Sequence, residues 1–185
     1  NPTAAPVDTS TRAADAPTPL SDTELVPALI DPSDLNPASG WSITASDTST
    51  ANFCGQVNRT QPVSTITQTL TRTQPDGNSQ LLINTLESYT DTATANATFQ
   101  ETRSIVRSCD SFTTSEGLDA QIEAFDETPT AGCQGALVLR LSFFDPSNNA
   151  LVGTNVASIV LCGNNASSMT FSTLGLVTAA DEANE

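Results

Sequence analysis

Residues 133–162 read CQGALVLRLSFFDPSNNALVGTNVASIVLC. Two apolar runs, Ala136–Phe144 and Leu151–Leu161, flank Asp145-Pro146-Ser147-Asn148-Asn149. Large and β-branched apolar residues favour strands, whereas Asp, Pro and Asn favour turns. The stretch predicts an antiparallel hairpin. Facing positions in such a pair have a constant sum, so a register that sets Asp145 against Ala150 also sets Cys133 against Cys162. Directly facing residues come within disulfide range. The register thus predicts a Cys133–Cys162 bridge. The turn carries oxygen ligands but lacks the spacing and terminal Glu of a calcium loop. It reads as a hairpin turn, and no metal site is expected.

The other cysteines are Cys54 and Cys109. None of the four sits in a close pair, and there is no His to complete a mixed zinc site. An even number at wide spacing suits disulfides and an oxidising compartment. Four cysteines allow three connectivities. With Cys133–Cys162 taken from the register, Cys54–Cys109 follows by elimination.

Working outward, Val63–Thr73 and Ser79–Tyr89 surround Gln74-Pro75-Asp76-Gly77-Asn78. Pro presets φ and Gly tolerates positive φ, so a second hairpin is expected there. Folding about that turn brings Leu70 near Leu81 and Gln68 near Ile83. Between Asp91 and Cys109 the period changes. Ala95, Phe99, Thr102, Val106 and Cys109 recur at helical spacing. Leu118, Ala120, Ile122 and Ala124 alternate as in a strand. Asp31-Pro32 marks a short helix start that Pro37 stops early, and Trp41–Ala45 suits a short strand. Asn165–Ala180 reads as a closing helix, with Met169, Leu174 and Val177 inward and Asn164 or Asn165 as its cap. The fold class expected is α+β: an antiparallel sheet packed with a long central helix and a C-terminal helix, held by two disulfides.

Residues 1–24 are dominated by Pro, Thr, Ala and Asp and form a tether unable to bury much surface. Residues 25–185 form one domain. No stretch approaches the length of a membrane-spanning helix, and the first residues lack a charged and an apolar signal region. The chain reads as mature or truncated, with any membrane contact made through an anchor upstream of residue 1.

Six Arg oppose 21 acidic residues, with no Lys or His, for a formal net charge of −15. Nucleic acid and anionic lipid are excluded as partners, because both need clustered basic residues. Without His there is no Ser-His-Asp triad, and without Lys no Schiff base or Walker phosphate grip. Paired carboxylates remain, at Asp126-Glu127 with Asp119 and Glu123 nearby. They read as a solvated acidic edge, since a glycosidase also needs a sugar cleft with aromatic platforms. Trp41 and Tyr89, single in kind, read as packing residues rather than cleft walls. The glycosylation sequons at Asn58, Asn96 and Asn165 carry little weight in a chain so rich in Asn, Ser and Thr.

The order of these features resembles the PknH-like extracellular sensor domain family, which includes mycobacterial kinase ectodomains and actinobacterial lipoproteins. The matching segments are Leu29-Ile30-Asp31-Pro32-Ser33-Asp34-Leu35, Phe53-Cys54-Gly55, Ser108-Cys109, Gly132-Cys133-Gln134 and Leu161-Cys162-Gly163. The resemblance spans about residues 25–177. It implies an antiparallel sheet with helices around a cleft, disulfides joining first to second and third to fourth cysteines, and ligand sensing outside the membrane. It carries over the cysteines alone, with no ligand-binding residues.

The expected function is therefore an extracytoplasmic sensor or binding domain without catalysis, tethered to the cell envelope. It needs no cofactor and captures a small molecule, glycan or peptide. The alternatives are an envelope protein-interaction module, using an edge such as Val63–Thr73, and a carboxylate-dependent glycoside hydrolase.

Overall fold

A computed structural model of the chain describes residues 17–35, 40–44, 60–75, 77–114 and 116–174. Among them lie β1 (Ser42–Thr44), β2 (Ser64–Thr73), β3 (Ser79–Ser88), β4 (Ser111–Thr113), β5 (Asp119–Asp126), β6 (Gly135–Phe144), β7 (Leu151–Cys162) and β8 (Asn165–Leu174). These eight strands form one antiparallel sheet in the order β1-β2-β3-β8-β7-β6-β5-β4. Two helices accompany it: α1 (Asp22–Leu25) and α2 (Thr92–Arg107). The chain leaves β3, crosses the sheet along α2 to β4 at the far edge, and meanders back until β8 closes on β3.

Two features of the expected fold class are corrected. The sheet, not a central helix, organises the molecule. Helix α2 does form where its apolar spacing places it, capped by the Asp91 carboxylate, which accepts from Thr94 N at 2.7 Å. It lies on one face of the sheet, against β5, β7 and β8. Where the C-terminal helix was expected to begin, Asn165–Leu174 is strand β8, and Met169, expected inward, is 42 % exposed. Gly163-Asn164 is a two-residue turn between Cys162 and Asn165, which face each other, with Gly163 at φ 64°. Gly at the first central position is hairpin chemistry, and the Ser- and Thr-rich run after it suits a strand. Residues 175–180 of that expected helix lie outside the described residues.

The hairpin of residues 133–162 keeps its expected register only near the turn. Asp145 N donates to Ala150 O and Phe144 faces Leu151. A bulge between Phe143 and Phe144 then moves the pairing by one, so that Gly135 faces Leu161. Cys133, just before β6, still reaches Cys162, with a Cα separation of 4.1 Å. The second expected bridge, Cys54–Cys109, involves Cys54, which lies outside the described residues. Cys109 is itself disulfide-bonded, and among the described residues no cysteine is free.

The first hairpin is also offset by one: Leu70 faces Leu82, and Ile83 faces Thr69. Gln74 N donates to Asn78 O, Gly77 N donates to Gln74 O, and Gly77 takes φ 84°. That left-handed residue makes a three-residue loop, one residue longer than a pairing of Leu70 with Leu81 allows.

The core lies between α2 and the sheet, where Phe99 and Val106 meet Ile122, Leu137, Leu139 and Leu161. The opposite face is covered at β2 and β3 by the N-terminal segment, including residues 17–24, which were expected to belong to the tether and instead pack on the sheet. Leu25 is buried there, Leu20 N donates to Ser88 Oγ, and Ile30 N donates to the buried Asn84. After α1 this segment forms two short 3-10 turns, the second at the expected Asp31-Pro32 start, where Asp31 accepts from Ser33 N.

Helix and sheet approach closely because residue 135 has no side chain. A Cβ there would lie 2.6 Å from the Phe99 ring. Gly135→Ala is expected to lower stability by about 1–3 kcal/mol, the usual cost of overpacking. Urea denaturation measures it, and an unchanged midpoint would mean that the ring moves freely. Replacing Cys133 and Cys162 together by Ser opens a link spanning 29 residues. The expected loss is about 3–4 kcal/mol from loop-closure entropy, read by the same titration.

Candidate functional site

Side chains alternate between the two faces of a strand, so the register defines what shares a face with α2. In β6 and β7 that face carries Leu137, Leu139 and Leu141, then Leu161, Ile159, Ala157 and Asn155. It continues as Ser168, Thr170 and Ser172 in β8 and as Thr85, Ile83 and Leu81 in β3. Helix α2 covers the end near Leu161. The other end opens into a cleft of about 420 Å³.

Leu81 and Ile83 form one side of this cleft, and Phe143 and Leu118 the other. Asn155, Thr170 and Ser172 lie between them on β7 and β8. The loop joining β4 to β5 supplies a wall through Thr114, Glu116 and Leu118. That loop is fixed by Thr114 N donating to Leu118 O and by Gly117 at φ 83°, which repeats the device of the first hairpin. Gly153, also in the lining, adds no side chain to the space. The volume and the mostly apolar walls with a few polar groups are those of a small-molecule site.

The carboxylates raised by the sequence do not meet in this cleft. Asp126 faces α2 and binds Arg103 at 2.6 Å and Arg107. The hydrogen bond from Arg103 is the main reason its pKa falls below the usual carboxylate value. Glu123 points to the opposite face, 3.7 Å from Arg140. Asp119 shares that opposite face by alternation, and Glu127 is exposed beyond the end of β5.

Tyr89 is a core residue at 3 % exposure, and its hydroxyl donates to Glu87 at 2.7 Å. Trp41 stacks with Arg72 at the sheet edge, 5.8 Å from ring centre to guanidinium. In the turn after β6, Asp145 accepts from Ser147 N at 2.8 Å and Ser147 Oγ at 2.7 Å, the Asx geometry expected of a hairpin turn. Of the sequons, Asn96 is exposed on α2, Asn165 lies in β8, and Asn58 is outside the described residues.

The sequence did not single out any cleft residue. Two signals were present. Asn155 interrupts a strand of Val, Ala, Ile and Leu, and Leu81-Leu82-Ile83 is apolar on both faces, as a strand covered on both sides must be.

No family model and no curated protein sequence matches the chain. Among solved structures, it matches the crystal structure of the extracellular domain of PknH from Mycobacterium tuberculosis with a TM-score of 0.57. Identity is 10 %, over 89 % of this chain and 93 % of that chain. The likeness is one of fold. At that level, the resemblance drawn from the cysteine-bearing segments is met.

Burial pushes the Glu87 pKa up, opposed in part by the Tyr89 hydrogen bond. The native state then holds this proton more tightly than the unfolded chain does. Stability from this group is present below the ordinary carboxylate value and is lost as pH rises through the folded one. Glu87→Gln keeps an acceptor for Tyr89 and removes the ionisation. The variant is expected to match the parent near pH 4 and exceed it at neutral pH in denaturation experiments. A parent more stable than the variant at neutral pH would contradict this.

Proposed function

We propose that the chain is an extracytoplasmic ligand-binding domain of the sensor type, which works by reversible binding and not by catalysis. The observation that carries the reading is the half-open cleft beside α2, floored by β3, β8 and β7. The shared fold with a kinase's extracellular domain supports it, and the Cys133–Cys162 bridge suits an oxidising compartment. Attachment to the envelope, upstream of the residues that pack on β2 and β3, belongs to the same proposal. Hydrolysis by two carboxylates requires both in one groove, about 5–10 Å apart. Here Asp126 and Glu123 are split by the sheet.

A second reading, an envelope protein-interaction module, draws on the face opposite α2. There Phe125, Val156 and Met169 are 49 %, 45 % and 42 % exposed. The β2 edge considered from the sequence is already paired with β1 over Thr69–Thr71.

Fragment screening by NMR separates the two readings. Binding is expected to shift resonances of Leu81, Ile83, Phe143 and Thr170, and Ile83→Asp is expected to abolish it. Shifts confined to Phe125, Val156 and Met169 would favour the interaction module.

A further inference from the structure

Along one row of the sheet, Leu141, Asn155, Ser172 and Leu81 stand side by side on the face that carries α2. Asn155 is thus an amide next to a buried leucine, in the lining of the cleft. Asn is disfavoured in strands, and Val or Ile would fit such a row better. Asn155 Oδ1 is shielded from solvent and, among the described residues, accepts no hydrogen bond. A buried acceptor left unpaired costs free energy, which a donor brought to it recovers. The last torsion of an Asn side chain is broad, so the amide turns toward the cleft without leaving its rotamer well.

The charges around the cleft narrow the choice further. Glu116 is in the wall. An anionic ligand is disfavoured on a chain whose formal net charge is −15.

Resting on the reading of the cleft as a ligand site, we infer that Asn155 is its polar anchor. The ligand class is a largely apolar small molecule, not an anion, that carries an N–H or O–H donor beside its apolar body. The apolar body lies between Leu81 and Ile83 on one side and Phe143 on the other. Its donor points to Asn155 Oδ1, and the hydroxyls of Thr170 and Ser172 lie on the neighbouring strand.

Three probes of one shape test this on the full chain: indole, 1-methylindole and indole-3-acetate, titrated by NMR. Indole keeps the N–H, 1-methylindole loses it, and indole-3-acetate adds a negative charge. Indole is expected to bind about tenfold tighter than 1-methylindole, the effect of one hydrogen bond to a buried acceptor. Indole-3-acetate is expected to bind weakest. Asn155→Leu removes the amide and extends the apolar row, so the variant is expected to fold, and in it the two neutral probes bind alike. Equal binding of the neutral probes to the parent, or a preference that persists in Asn155→Leu, overturns the assignment of Asn155 and leaves the cleft reading intact. Failure of every probe to perturb Leu81, Ile83 and Phe143 overturns the cleft reading and this inference with it.

Discussion

The fold depends on one crossing. After β3 the chain must reach β4 at the opposite edge, with four strands still to be laid between them. Five strand spacings of about 4.8 Å make that distance about 24 Å. Helix α2 has 16 residues, and at a rise of about 1.5 Å each it spans about 24 Å. Its length therefore matches the gap that the returning meander fills. Asp91 starts the helix, and Arg103 and Arg107 tie its last turns to Asp126 on β5. The ladder between β3 and β8, from Ser79–Leu174 to Ser88–Asn165, closes the sheet.

A single helix cannot cover a face of eight strands. Helix α2 takes the end where the inward residues are Leu137, Leu139, Ala157 and Leu161, and there the core is dry. Farther along the same strands the inward residues become Asn155, Thr170 and Ser172, while Leu81, Ile83 and Phe143 remain apolar beside them. The cleft is the part of the face that the helix does not reach. On the other face, the N-terminal segment covers β2 and β3 and leaves Val156 and Met169 in contact with water. Both candidate surfaces thus arise from incomplete coverage of one wide sheet.

Small backbone decisions set which residues line the cleft. With the expected pairing of Leu70 with Leu81, Leu81 and Ile83 would share a face with Leu70. Gly77 in the left-handed region adds one residue to the loop and sends them to the opposite face. A one-residue slip exchanges the two faces of a strand completely, so this turn fixes half of the cleft.

The sequence by itself determined a good deal. Apolar or alternating segments bounded by turn residues specified β2, β3, β5, β6 and β7, and helical spacing specified α2. These signals are local, and each depends on residues a few positions apart. The hairpin register pointed to Cys133–Cys162, and the bridge formed although a bulge displaced that register. The tertiary structure decided the rest. Whether Asn165–Leu174 was strand or helix depended on β3 and β7 waiting on either side, since its Ser- and Thr-rich run has little preference of its own. The cleft joins residues from β3, β6, β7, β8 and the β4–β5 loop, which are distant in sequence and meet only because α2 crosses the sheet. No pattern within one segment encodes such a meeting, because it is set by the length of the helix, the order of the strands and the register of two turns together.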